Sequence, residues 1–103
     1  MTDDDAALRE LQALIGAGGW RPFPGPPNAL IFLHPWPDGS VDTLAVQAAS
    51  ESLAERTNAT GQPVWRHADE LTEVIAQLRA LPAPDSPDAP REVIPGDSAD
   101  RNL

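Results

Sequence analysis

Residue types that could perform chemistry concentrate in one short stretch, NALIFLHPWPDGSVDTLAV, at residues 28–46. Ser40, His34 and Asp42 supply the hydroxyl, the imidazole and the carboxylate from which a catalytic triad is built. His34 and Asp42 could instead form a structural cross-strand ion pair. Neighbouring strand positions rarely give a triad its in-line geometry, so the ion pair is the favoured interpretation. Catalysis by these three residues is kept as the alternative.

A metal site is the second chemistry to consider. His67 is close in sequence to Asp69 and Glu70, and together with His34 it could supply imidazole and carboxylate ligands. The two histidines lie on distant segments and lack the close spacing of known metal motifs. The chain has no cysteine, which excludes thiolate zinc sites and disulfides. We therefore predict no metal and no other cofactor.

The stretch at 28–46 predicts a β-hairpin, because two apolar runs flank a Pro-Asp-Gly turn. Proline suits the second position of a type I turn, and glycine supplies the positive φ of the bulge that follows. A three-residue loop at 37–39 then brings large apolar side chains together on one face, which must be buried. The predicted cross-strand pairs are Leu30 with Val46, Phe32 with Leu44 and His34 with Asp42. A two-residue turn would place His34 opposite Thr43 instead.

Three aromatic residues are predicted to form an interaction surface. Trp36 stands at the hairpin tip, where burial is difficult, while Trp20 and Phe23 lie in the connector that leads into the hairpin. Tryptophan is enriched at protein interfaces, so this cluster could bind a partner. The alternative is that these side chains simply close one end of the core. Trp65, in a short strand, is expected in the core.

Composition narrows the class of partner. The chain has 103 residues, a net charge of −9 and no lysine, which excludes lysine-dependent chemistry. Such an acidic chain is repelled by nucleic acid and by anionic membranes. No secretion signal is visible at the start of the sequence. We therefore expect a cytoplasmic protein with a protein partner or a second copy of itself, with no nucleic acid and no membrane.

The order of elements predicts an α+β fold. Apolar residues at helical spacing indicate a first helix before Gly16 and a last helix from Leu71, capped by Asp69. A short helix is expected near Ser50, in SESLAERT, and a short strand at VWR. The result is an α-β-β-α-β-α domain whose three-stranded sheet has the order 2-1-3, joined by a right-handed crossover.

Three regions follow from this pattern. Residues 1–5 form an acidic N-terminal cap, residues 6–81 form a single domain, and residues 82–103 form a disordered tail rich in proline and aspartate. The tail has too few large apolar groups to offset the entropy of ordering.

The motifs GGW, PDGSVDTL, PVWR and LTEVIAQLRALPAP, within residues 18–84, resemble short uncharacterised acidic proteins of high-GC actinobacteria. The resemblance implies no activity, cofactor or functional residue. Our functional prediction is therefore a small non-catalytic binding or regulatory module that acts through protein association. The alternative is a small hydrolase or metal-dependent enzyme centred on His34 and Asp42.

Overall fold

The computed structural model describes residues 3–25 and 29–94. Its elements, in chain order, are α1 (Asp3–Gly16), β1 (Arg21–Phe23), β2 (Leu30–Pro35), β3 (Val41–Ala48), β4 (Glu51–Thr57), β5 (Pro63–Asp69) and α2 (Leu71–Ala80). The strands form one five-stranded sheet in which each strand pairs antiparallel with the next. The α+β class was predicted, but the three-stranded sheet with order 2-1-3 and its crossover is wrong.

The segment expected to be a helix near Ser50 is the strand β4. Leucine, alanine, glutamate and arginine favour helix, which explains the error. In the sheet, however, Ser52, Ala54 and Arg56 alternate inward and are buried, while residues between them face the other side. Pairing with strands on both sides therefore overrides local propensity. A chain reversal at Ala49 and Ser50 replaces the crossover.

The proline-rich connector contributes the second unexpected strand. Arg21–Phe23 pairs with β2, with Pro22 opposite Phe32 and Phe23 opposite Ile31. Proline is tolerated here because β1 is an edge strand and bonds on one side only. Residues 21–23 of the connector therefore widen the sheet by one strand.

Both helices contribute to a core on one face of the sheet. α2 buries Leu71, Val74, Ile75 and Leu78, and α1 packs on α2 with Ala7, Leu11 and Leu14 buried. These periodicities were predicted, although the N-cap of α2 is Glu70, and Asp69 ends β5. Trp65 packs against the core and is half-buried. Within the described residues, neither helix has the length and apolar character that crossing a membrane requires.

The segment after α2, residues 82–94, contains turns but no helix or strand. It nevertheless lies against the domain: Ala89 is buried, and the Ile94 N–H donates to the Pro63 carbonyl at 2.8 Å. Residues 82–94 therefore lack regular secondary structure but contact the domain, and the disordered tail of residues 82–103 stays a prediction. Residues 95–103 lie outside the described part of the chain.

Candidate functional site

The hairpin tip has the predicted loop. The Gly39 N–H donates to the Trp36 carbonyl at 3.0 Å, and the Trp36 N–H donates to the Ser40 carbonyl at 2.8 Å. Gly39 has a φ of 94°, which a side chain would disfavour. Asp38 accepts from the Ser40 N–H at 2.9 Å and stabilises the turn from within.

The predicted register of the hairpin is confirmed. Leu30 pairs with Val46, Phe32 with Leu44 and His34 with Asp42. This register places Asp42 on the inner face of the sheet, where an unpaired carboxylate would be costly.

Asp42 is compensated by Arg56 of the neighbouring strand. The guanidinium donates from Nε to Oδ1 at 2.6 Å and from Nη2 to Oδ2 at 2.9 Å. The two side chains are only 2% and 6% exposed. The predicted cross-strand ion pair of Asp42 with His34 is thus replaced by a two-bonded pair with Arg56. The sequence offered one clue, because a carboxylate at Asp42 on the inner face needs a positively charged partner. Arg56 was not expected in that role, since its segment was predicted to be a helix.

Trp36 belongs to the same network. Its indole Nε1 donates to Asp42 Oδ2 at 3.0 Å, and the guanidinium carbon of Arg56 lies 5.5 Å from the centre of its ring. Trp36 is half-buried, so one part of the indole remains accessible. The hairpin tip is therefore rigidly connected to β3 and β4.

His34 lies between two tryptophans. Its ring centre is 4.5 Å from that of Trp36 and 5.3 Å from that of Trp20. Gly19 closes the stack, because a Cβ there would overlap the imidazole. His34 Nδ1 is buried without a hydrogen-bond partner in the described residues.

This geometry does not favour the catalytic interpretation of Ser40, His34 and Asp42. Both Asp42 oxygens accept bonds from Arg56 or Trp36, and the histidine of a triad must be oriented by its carboxylate. Ser40 is buried beneath the turn. The three side chains share one end of the inner face, but the carboxylate serves a different partner.

The two histidines do not share a site. His34 is on β2 and His67 on β5, with β3 and β4 between them, so ~14 Å separates the strands. His67 lies 3.8 Å from Asp69 Oδ2 and stacks on Trp65, with ring centres 6.4 Å apart. In the described ranges, no three residues of metal-ligating type come together.

The predicted aromatic interaction surface is divided between two faces. Trp20 packs against the core and, with Trp36, encloses His34 on the inner face. Phe23 pairs with Ile31 and therefore belongs to the opposite, outer face, where it is 52% exposed. The structure thus brings Trp20 and Trp36 together around His34 and places Phe23 on the other face.

The outer face of the sheet carries an apolar row that the described helices leave uncovered. The row crosses all five strands, and its members in order from β1 to β5 are Phe23, Ile31, Ala45, Leu53 and Ala68. We call these five residues the outer row. A depression of about 270 Å³ lies over β3 to β5, and Ala45, Leu53 and Ala68 line it together with Gln47, Glu51 and Ser52. The sequence pattern did not predict this row, because the segments of β1 and β4 do not have the pattern of strands.

Comparisons with protein-family models, with curated proteins and with solved structures find no match for this chain.

Proposed function

We propose that the protein is a small, non-catalytic binding module of the cytoplasm that acts through protein association, with a second copy of itself as the partner on the outer row. The observation that carries the proposal is that this row has an exposed aromatic ring at one end and a depression towards the other. Phe23, at the β1 end, is 52% exposed, and the depression lies across β3, β4 and β5, beside Ala68.

A two-fold axis parallel to the strands would make the outer row meet itself in reverse order. Phe23 of each copy would then enter the depression beside Ala68 of the other copy. Ile31 would pack on Leu53, and Ala45 would meet Ala45 near the axis. Closed two-fold interfaces are the commonest in homo-oligomers, and they require such self-complementarity.

The solvent exposure of the outer row supports the proposal that a partner covers it. Phe23 is 52% exposed and Leu53 is 37% exposed, and these side chains belong to one continuous apolar band. Contiguous apolar surface on a monomer marks an interaction site. A two-layer domain of this size also buries little surface by itself, so association adds to its stability.

Sedimentation velocity over a range of protein concentrations tests the proposal. The native chain should form dimers, whereas Phe23→Glu and Ala68→Glu should remain monomeric because each places a new charge in the apolar outer row. Leu8→Glu is the matched control, since Leu8 is also 52% exposed but lies on α1, away from the outer row. A native chain that stays monomeric, or a dimer disrupted by Leu8→Glu and not by Phe23→Glu, would refute the proposal.

A further inference from the structure

A second surface lies at the other side of the molecule, beside the hairpin tip. It is a groove of about 360 Å³ between the tip and the segment after α2, and we call it the tip groove. Its lining residues are Trp36, Pro37, Asp38, Ala83, Pro84 and Asp85. The volume falls in the range of small-molecule and side-chain pockets.

The aromatic side of the tip groove is held in place before any ligand arrives. The Trp36 indole is fixed by its hydrogen bond to Asp42, by the Arg56 guanidinium and by the ring of His34. Pro37 further restricts the backbone of the tip. Because these groups are already ordered, little conformational entropy remains to be lost on binding.

The opposite side is anchored by the same arginine. Arg56 Nη1 donates to the Pro82 carbonyl at 2.6 Å, which fixes the start of the segment beside the tip. A turn follows, closed by the bond from the Ser86 N–H to the Ala83 carbonyl at 2.9 Å. Pro84 and Asp85 occupy its two central positions, where proline is favoured first. The turn therefore presents Asp85 at the rim.

The charged side chains that line the tip groove are both acidic. Asp38 and Asp85 are both exposed and both line it. The nearby charge of Arg56 is neutralised by Asp42. Arg91, in the neighbouring cavity, directs its guanidinium to the carbonyls of Ser86 and Pro87. The groove thus combines an aromatic ring and proline rings with two carboxylates.

We propose that the tip groove binds an arginine side chain presented by an extended segment of a partner protein. The alkyl stem packs on Pro37 and Pro84. The planar guanidinium stacks on the accessible part of Trp36 and is paired by Asp38 and Asp85. This inference extends the proposed function to a second surface, and it does not depend on dimerisation through the outer row.

The test uses the full chain and a capped pentapeptide with a central arginine flanked by alanine and glycine. The matched peptide carries citrulline, which has the same shape without the charge. The chain has three tryptophans, so three indole N–H resonances are expected in a ¹H–¹⁵N spectrum, and Trp36→Phe assigns one of them. The arginine peptide should shift the Trp36 resonance in a saturable manner at 0.15 M salt.

Two matched variants, Asp85→Asn and Asp88→Asn, distinguish binding in the tip groove from a general attraction of the peptide to an acidic protein. Asp85→Asn should weaken the arginine peptide about threefold to fivefold, as expected for one exposed ion pair. Asp88→Asn removes the same charge from an exposed residue of the same segment that does not line the groove, so it should leave affinity unchanged. Asp38→Asn retains the oxygen that accepts from the Ser40 N–H, and it should weaken binding of the arginine peptide about as much as Asp85→Asn does.

Three results would overturn the inference: equal binding of the citrulline peptide, equal weakening by Asp88→Asn and Asp85→Asn, or an unshifted Trp36 resonance. Sedimentation of the same samples keeps the two proposals apart. Dimers that form normally while the peptide fails to bind would refute the tip groove and leave the outer row intact.

Discussion

Arg56 and Asp42 lie opposite each other on β4 and β3, and their two-bonded ion pair is almost fully withdrawn from solvent. The pair connects the inner face of the sheet to the hairpin tip through Trp36 and to the last segment through the Pro82 carbonyl. Three parts of the chain that are distant in sequence therefore meet at one guanidinium.

Removing one charge of this pair should destabilise the fold strongly. Asp42→Asn leaves the buried guanidinium without compensation and is expected to lower the free energy of unfolding by about 3–5 kcal/mol. Urea unfolding measures the loss. Glu55→Gln is the control, because Glu55 and Arg66 form a half-exposed pair on the other face, worth less than about 1 kcal/mol. Similar losses in the two variants would contradict the assignment of Asp42 as the buried partner.

Replacing both members of the pair should be tolerated better than replacing one. Asp42→Leu combined with Arg56→Met removes both buried charges and keeps apolar volume, so it should be more stable than Asp42→Leu alone. The double-mutant cycle in urea gives the coupling between the two sites. If the double variant loses as much free energy of unfolding as the two single variants together, the two charges do not interact in this way.

Gly19 and Gly18 offer a direct test of the stacked histidine. Both have positive φ, 89° and 99°, so alanine at either position costs about 1–2 kcal/mol in backbone strain. At Gly19 the new Cβ would also overlap the His34 ring, whereas at Gly18 it meets open space. Thermal melts should therefore show a clearly larger loss for Gly19→Ala. Combining it with His34→Ala should remove the excess; an excess that persists would place the clash elsewhere.

Two of the inner-face tryptophans, Trp36 and Trp65, should differ in their contribution to stability. Trp36→Phe removes the hydrogen bond from the indole to the Asp42 carboxylate, which keeps both of its bonds to Arg56. We therefore expect the free energy of unfolding to fall by about 1–2 kcal/mol. Trp65→Ala removes a ring that packs against the core and should cost about 3–5 kcal/mol. Chemical unfolding of both variants gives the comparison. Equal losses would mean that the Trp36 indole is as much a part of the core as Trp65.

Truncation after Pro84 should lower the melting temperature. It removes the buried Ala89 and the bond from Ile94 to Pro63, and we expect a loss of about 1 kcal/mol, or roughly 4–8 °C. A second truncation, after Gly96, separates this effect from that of residues 97–103. An unchanged melting temperature in the shorter protein would show that residues 85–94 contribute nothing to stability.

The sequence predicted those features that depend on local pattern. The register of the hairpin follows from its turn residues and from the need to bury Phe32 and Leu44, and α2 follows from its helical periodicity. What the sequence did not reveal depends on distant partners. β4 consists of helix-favouring residues, and only pairing with β3 and β5 makes it a strand. Burial of Arg56 likewise requires both Asp42 and Pro82 to be in place.

The part of the site that depends on local pattern could likewise be predicted from the sequence. His34 and Asp42 were correctly placed opposite each other, because that relationship follows from the turn. The partner that Asp42 actually uses comes from a different strand, and Arg56 outcompetes His34 because it donates two parallel bonds to the carboxylate. The division of the aromatic residues between two faces was not predicted, because it follows from β1, which was not recognised as a strand.

The meander order of the sheet also has a consequence for synthesis on the ribosome. Each strand pairs with the one just made, so the sheet can grow hairpin by hairpin with short loop closures. α1, in contrast, is made before the sheet and buries Leu11 and Leu14 in a core that includes α2, made more than fifty residues later. We expect the nascent chain to expose the apolar stripe of α1 until α2 has left the exit tunnel, so that completion of the fold awaits the final helix.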